Sequence, residues 1–128
     1  MYVIFYQIMS FSSFKRYRIW SKYHGHCAYC GCKVSQRQMQ IDHIVPDPSQ
    51  NEETNLNPSC SLCNRFKSDL SIEGFREKIF TSHRYLLKYS NRYNLAHRFG
   101  LIQVTGFQDL FYFEKHQENI YPDRLSAK

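Results

Sequence analysis

A chain of 128 residues and 15.4 kDa has room for one ordinary domain and excludes two independent cores. A hydrophobic fraction of 42% beside 22% charged residues excludes a disordered chain, and five glycines and four prolines exclude collagen-like and linker-like architectures. The net charge of +6 is uneven: residues 1–41 hold six basic groups and no acid, residues 42–64 hold four acids (Asp42, Asp47, Glu52, Glu53) and no base, and residues 65–98 hold eight basic groups and three acids.

In chain order, the apolar stretch Met1–Met9 lacks a basic n-region and a small-residue cleavage site, so it predicts a short strand over 3–8 rather than a signal peptide. Residues 12–24 predict a helix with Ser12 or Ser13 as N-cap and Gly25 as stop. On it Lys15, Arg16, Arg18 and Lys22 interleave with Phe14, Tyr17, Trp20 and Tyr23, a mostly solvated basic set beside a mostly buried aromatic one. Cys27–Cys32 reads as a knuckle containing Gly31, and the partial alternation of 38–45 predicts a strand. Pro46 to Asn51 is punctuated as a loop, and 58–69 predicts a helix opening near Pro58. Residues 72–97 place Ile72, Phe75, Ile79, Leu86, Tyr89 and Tyr93 at helical intervals, as one long helix or two. Short apolar runs at 101–104 and 110–113 around Gly106 suggest a hairpin, and the tail from about 118 is expected to fray.

The five cysteines are Cys27, Cys30, Cys32, Cys60 and Cys63. An odd number argues against a secreted disulfide framework. Four of them form two Cys-x-x-Cys pairs, 27/30 and 60/63, and that spacing lets both thiolates of a pair reach one ion. Two such knuckles close a tetrahedral four-thiolate site, which is structural zinc with no coordination position left for water. A redox pair or plainly buried cysteines are the competing readings. A hairpin must fit between the pairs, and Cys32 is expected to stand by as a bystander.

Between the knuckles lie Ile41-Asp42-His43-Ile44-Val45-Pro46 and Asn55-Leu56-Asn57-Pro58, followed by Cys60-Ser-Leu-Cys63-Asn64-Arg65-Phe66-Lys67. Neighbours on a strand point to opposite faces, so Asp42 and His43 share a direction only if the strand ends or twists there. One carboxylate from Asp42 and one amide oxygen from Asn64 form a sparse hard-ligand set that leaves room for waters and phosphate oxygens, which suits Mg²⁺ or Mn²⁺. His43 is then the candidate general base. Each of these residues alone has an ordinary reading as a turn, cap or surface pair; their order between two knuckles gives the pattern its weight.

The same residues resemble the HNH endonuclease family, also called ββα-metal or His-Me finger nucleases, in the subtype with two zinc knuckles. The resemblance runs from Cys27 to about Asp69 and includes Cys-x-x-Cys, Asp-His-Ile-x-Pro, Asn-Leu and Cys-x-x-Cys-Asn-x-x-Lys. It implies an α+β fold: a β-hairpin and helix stapled by zinc, with flanking helices and a C-terminal extension over about 70–128 in one domain. It implies metal-dependent hydrolysis of phosphodiester bonds in DNA, which is expected to be double-stranded. His43 would be the base, Asn55 would steady the loop and the orientation of His43, and Asp42 and Asn64 would hold the catalytic ion. Cys27, Cys30, Cys60 and Cys63 would hold zinc, and Arg65 and Lys67 would contact phosphates. Gln40, two residues before Asp42, stands where an acid is often found. The competing readings are an RNase on the same motif and a non-catalytic zinc module binding nucleic acid through the cations of Lys15–Lys22, Lys15 and Arg18 among them, and of Arg65–Lys67. Family members serve phage DNA processing, mobile elements, restriction and defence. A cytoplasmic setting in a bacterial or phage-infected cell is therefore expected, without a membrane, and a homodimer or a partner protein stays open.

Overall fold

The computed structural model describes residues 11–117; the strand expected over 3–8 and the tail from 118 lie outside them. The first described element is helix α1 (Ser13–Ser21). The predicted cap holds: the Ser12 hydroxyl accepts from the Lys15 amide at 3.1 Å. The helix ends three residues earlier than expected, and the chain turns over 22–25 into Gly25 at φ +80, where a Cβ would lie 2.8 Å from the Trp20 ring. Of its aromatic residues, Trp20 is half-buried against the cluster that holds Ile19, whereas Phe14 and Tyr17 are exposed rather than buried as expected.

The sheet is a two-stranded antiparallel hairpin of β1 (Gln40–His43) and β2 (Leu56–Ser59), with Ile41 opposite Pro58 and Asp42 opposite Asn57. Pro58 thus sits in a strand, not at the start of a helix as the sequence suggested. A two-stranded sheet has only edges, so a residue lacking N–H is tolerated there, while its carbonyl accepts from Ala28 N at 2.8 Å. Helix α2 (Ser61–Lys67) starts three residues later, where the Cys60 sulfur accepts from the Cys63 amide.

Beyond α2 come α3 (Ile72–Phe80), α4 (Ser82–Tyr89) and α5 (Asn91–Arg98), three short helices where one or two were expected. Ser90 makes the second break: its extended backbone leaves the helix, and its hydroxyl caps the next one through Tyr93 N at 3.1 Å. No hairpin forms over 101–113. Residues 103–109 are irregular and α6 (Tyr112–Lys115) is a helical turn. The reason is a stronger partner. Tyr112 N and Phe113 N donate to the carbonyls of Tyr29 and Ala28, at 3.1 and 2.7 Å, docking this segment on the first knuckle.

Two apolar clusters result. Ile19, Val34, Met39, Ile41 and Leu56 fill the space between α1 and the hairpin. Tyr23, Tyr29, Phe75, Phe111 and Phe113 pack around the knuckles, with Tyr29 edge-on to all three phenylalanines at 5.4–5.8 Å. No described helix is long and apolar enough to cross a membrane.

Candidate active site and metal centre

The two cysteine pairs converge. The sulfurs of Cys27, Cys30, Cys60 and Cys63 all lie within 4.8 Å of one another, and those of Cys30 and Cys60 are 3.9 Å apart. Thiolates on one Zn²⁺ at about 2.3 Å would be separated by about 3.8 Å, so the four are arranged to hold a metal ion and are consistent with zinc. A hydrogen bond from the Cys63 thiol is the main cause that lowers the Cys27 thiol below its usual range. Gly31 closes the first knuckle at φ +81, and a Cβ there would sit 2.7 Å from the Tyr112 ring. Cys32 is exposed and outside the group of four.

From the knuckle, Tyr29 reaches the hairpin. Its hydroxyl donates to Asp42 Oδ2, and Asn57 Nδ2 approaches the same hydroxyl at 3.4 Å. Burial, then the Asp42 charge, holds the Tyr29 phenol well above its usual range, so it stays a donor. Asp42 is also paired with Lys67, whose Nζ lies 3.0 Å from Oδ2 and 3.3 Å from Oδ1 and also donates to the His43 carbonyl at 2.9 Å. Desolvation nonetheless pushes the Asp42 carboxyl upward, with Lys67 opposing it.

This corrects one sequence expectation. Lys67 is fully buried and engaged with Asp42, so it is not a surface cation for a phosphate, whereas Arg65 on the opposite side of the helix is exposed. The i, i+3 spacing explains it, because Lys67 shares the helix face of the buried Asn64 and that face packs on β1. Lys15 and Arg18, the other expected phosphate contacts, are tied within the chain: Lys15 Nζ donates to the Asn51 carbonyl at 2.7 Å and Arg18 pairs with Glu53 at 3.0 Å.

Asn64 Nδ2 donates to Gln40 Oε1 at 2.7 Å. In this arrangement Oδ1 is the atom of Asn64 turned away from Gln40 and able to accept or coordinate. Gln40 and Asp42 share one strand face, so both turn toward α2.

His43, at the end of β1, is buried, and its Nε2 lies 2.8 Å from Asn51 Oδ1. In the tautomer that donates from Nε2 to this amide oxygen, Nδ1 is the unprotonated nitrogen. Asn55 acts one step back. Its Oδ1 accepts from Val45 N at 2.8 Å, and its Nδ2 donates to the carbonyls of Val45 and Gln50, at 3.2 and 2.9 Å. It therefore clamps the two sides of the 44–55 loop, with Gln50 next to the residue that touches His43. Sequence reasoning missed Asn51 and Tyr29. The first is one of several polar residues in a loop with no periodicity to single it out. The second has a signal, an aromatic inside a Cys-x-x-Cys, which the pairing of cysteines overshadowed.

A hairpin and helix joined by four clustered cysteines able to hold a metal ion, with a histidine at the strand end contacting the connecting loop, define a small α+β module. Residues 27–70 match the model of the HNH endonuclease family. The chain is also similar to the CRISPR-associated endonuclease Cas9 of Actinomyces naeslundii, 37% identical over 60 residues. That alignment covers 44% of this chain and 5% of the relative, so the chain spans a small part of that protein's length. The segment holding the cysteines, Asp42, His43 and Asn64 thus lies within the match to the HNH endonuclease family, and the α3–α6 extension lies beyond the matched residues.

Proposed function

We propose that the chain is a metal-dependent endonuclease that hydrolyses DNA phosphodiester bonds, with His43 as general base. The observation that carries this reading is the His43–Asn51 contact inside a matched nuclease segment, since it orients the ring and supports the tautomer in which Nδ1 would take a proton from an attacking water. Asp42 and Asn64 would hold a divalent ion, Mg²⁺ or Mn²⁺. Such an ion supplies charge stabilisation at the phosphoryl group and the leaving oxygen. Gln40 is a positioning residue that aims the Asn64 carbonyl. Asn55 positions the loop that carries Asn51. The exposed Arg65 lies beside Asn64 and would meet the substrate backbone. Structural zinc at the four cysteines would hold the hairpin and α2 in register.

The test is a supercoiled-plasmid digest by zinc-loaded protein with added Mg²⁺ or Mn²⁺, with an RNA substrate in parallel. Metal-dependent nicking should fall about 10²–10⁴-fold in His43→Ala, the usual contribution of a positioned base. Asn64→Ala should require more metal for the same rate. Nicking by His43→Ala at the wild-type rate, or a metal titration of Asn64→Ala superimposable on wild type, would overturn these assignments. Cleavage of RNA alone would move the substrate class.

A further inference from the structure

The nuclease reading makes no use of the α4–α5 pair. From residue 78 to residue 108 the chain holds Lys78, Arg84, Lys88, Arg92 and Arg98 and no acid. Neither α4 nor α5 has a buried residue. The pair is nevertheless ordered from within: His83 Nδ1 lies 2.7 Å from the Tyr93 hydroxyl, and Asn94 Nδ2 donates to the carbonyls of Leu87 and Ser90.

What this scaffold presents outward is unusual for a solvated surface. Tyr85 and Tyr89, one helical turn apart, are 62% and 64% exposed, with ring centroids 4.7 Å apart and planes tilted by 46°. Burial therefore does not explain these rings. Lys88 Nζ lies 5.3 Å from the Tyr89 centroid, and Arg84 and Arg92, within four residues of it along the chain, are exposed. None of Arg84, Lys88, Arg92 and Arg98 enters an ion pair among the described residues. Exposed aromatic faces interleaved with cations, in a stretch free of acids, match the two needs of an unpaired strand. Bases stack on rings and phosphates meet positive charge. Duplex bases are already stacked and would leave the tyrosines unused.

We propose that the exposed α4–α5 face binds single-stranded nucleic acid, with Tyr85 and Tyr89 stacking on unpaired bases and Arg84, Lys88 and Arg92 taking the backbone. This binding does not depend on cleavage, so its failure and the failure of the nuclease reading are distinguishable.

The test is fluorescence anisotropy with the full, zinc-loaded chain and no added divalent metal, using a labelled mixed-sequence single strand and the matching duplex. Polyglutamate serves as an unlabelled competitor. Tyr85→Ala with Tyr89→Ala should weaken single-strand binding roughly tenfold or more, while the Phe versions of both, which keep the stacking faces, should bind like wild type. Arg84→Glu with Lys88→Glu should weaken binding and flatten its salt dependence. Thermal melts matching wild type keep these comparisons on folded protein, as expected for exposed positions. Single-strand binding unchanged in the double Ala variant would overturn the proposal. So would a preference for duplex, or displacement by polyglutamate as effective as by unlabelled single strand, which would point to an acidic protein partner.

Discussion

Two stretches of this chain look alike on paper, α1 with its surroundings and the α4–α5 pair, since each interleaves cations with aromatic rings. In space they do opposite things. On α1, Lys15 holds the Asn51 carbonyl, Arg16 holds the carbonyls of Gln36 and Met39 at 2.7 Å each, and Arg18 pairs with Glu53. Just beyond it, Lys22 holds the carbonyls of Glu53 and Leu56 at 2.8 and 2.6 Å. These cations bind the chain to itself. They satisfy carbonyls in the 36–39 and 51–56 segments, which have few ladder partners in a four-residue hairpin. On α4–α5 the cations face outward. Net charge of +6 thus overstates the positive surface near the hairpin and conceals where the available charge lies.

The comparison breaks most severely if the inward-facing half does not depend on its metal. Stripping zinc with a strong chelator, or Cys60→Ser, should unfold the hairpin and α2, because structural zinc sites carry apparent binding free energies of about 10–16 kcal/mol near neutral pH. A thermal melt unmoved by the chelator would contradict this. The next largest effect is expected at the buried pair. Lys67→Met leaves Asp42 without its cation at a site where the two side chains are 0% and 5% exposed, and removing one partner of such a pair costs about 3–5 kcal/mol. Urea unfolding checks it, and a loss under about 1 kcal/mol would show that Tyr29 alone carries the carboxylate.

Much of the site was legible before the fold. The four-cysteine cluster followed from two matched spacings, and the hairpin between them followed from the length of the gap and the punctuation at Pro46 and Asn51. Pair geometry defeated the reading at Pro58. A proline near a helix start is a strong local signal, and only the pairing partner, Ile41, shows that the strand claims it. Lys67 was misplaced because a cation in a basic-looking helix reads as surface until the helix is docked, although its distance of three residues from Asn64 already put both on one face. The false hairpin at 101–113 had the same origin. Phe111 and Phe113 alternate like a strand, but the partner they find is Tyr29, more than eighty residues earlier, and no local pattern encodes that.

Lys22 offers a sharper test of inward-facing charge, because it titrates. Desolvation is the main cause that lowers it from 10.5 to about 8, with Glu53 opposing. Glu53, paired with Arg18, is the charged group facing it. The sign follows from proton uptake. Between about pH 8 and 10.5 the unfolded chain binds a proton at Lys22 that the folded chain has lost, so stability from this residue rises with pH across that window. Below pH 8 both states are charged and the desolvation cost is present in full. Wild type minus Lys22→Met stability should therefore climb between pH 8 and 10.5, by no more than about 3 kcal/mol. Tyrosine and cysteine titrations are common to both proteins and cancel in the difference. A flat difference would mean that the carbonyls of Glu53 and Leu56 solvate the ammonium as well as water does.

The smallest effects draw the contrast most directly. Arg16 and Arg84 are both arginines on short amphipathic helices, and a sequence-based ranking has no reason to separate them. Arg16 donates to two carbonyls of the 36–39 segment, one of them partly buried, whereas Arg84 is exposed. Charged hydrogen bonds of this kind are worth about 1.5–3 kcal/mol, and surface changes away from any such contact stay within about 0.5 kcal/mol. Arg16→Ala should therefore lower the urea midpoint measurably and Arg84→Ala should not, while for single-strand binding the ranking should reverse. Equal stability losses from the two substitutions would mean that α4–α5 is also held by its cations, and the outward face would lose its distinction from α1.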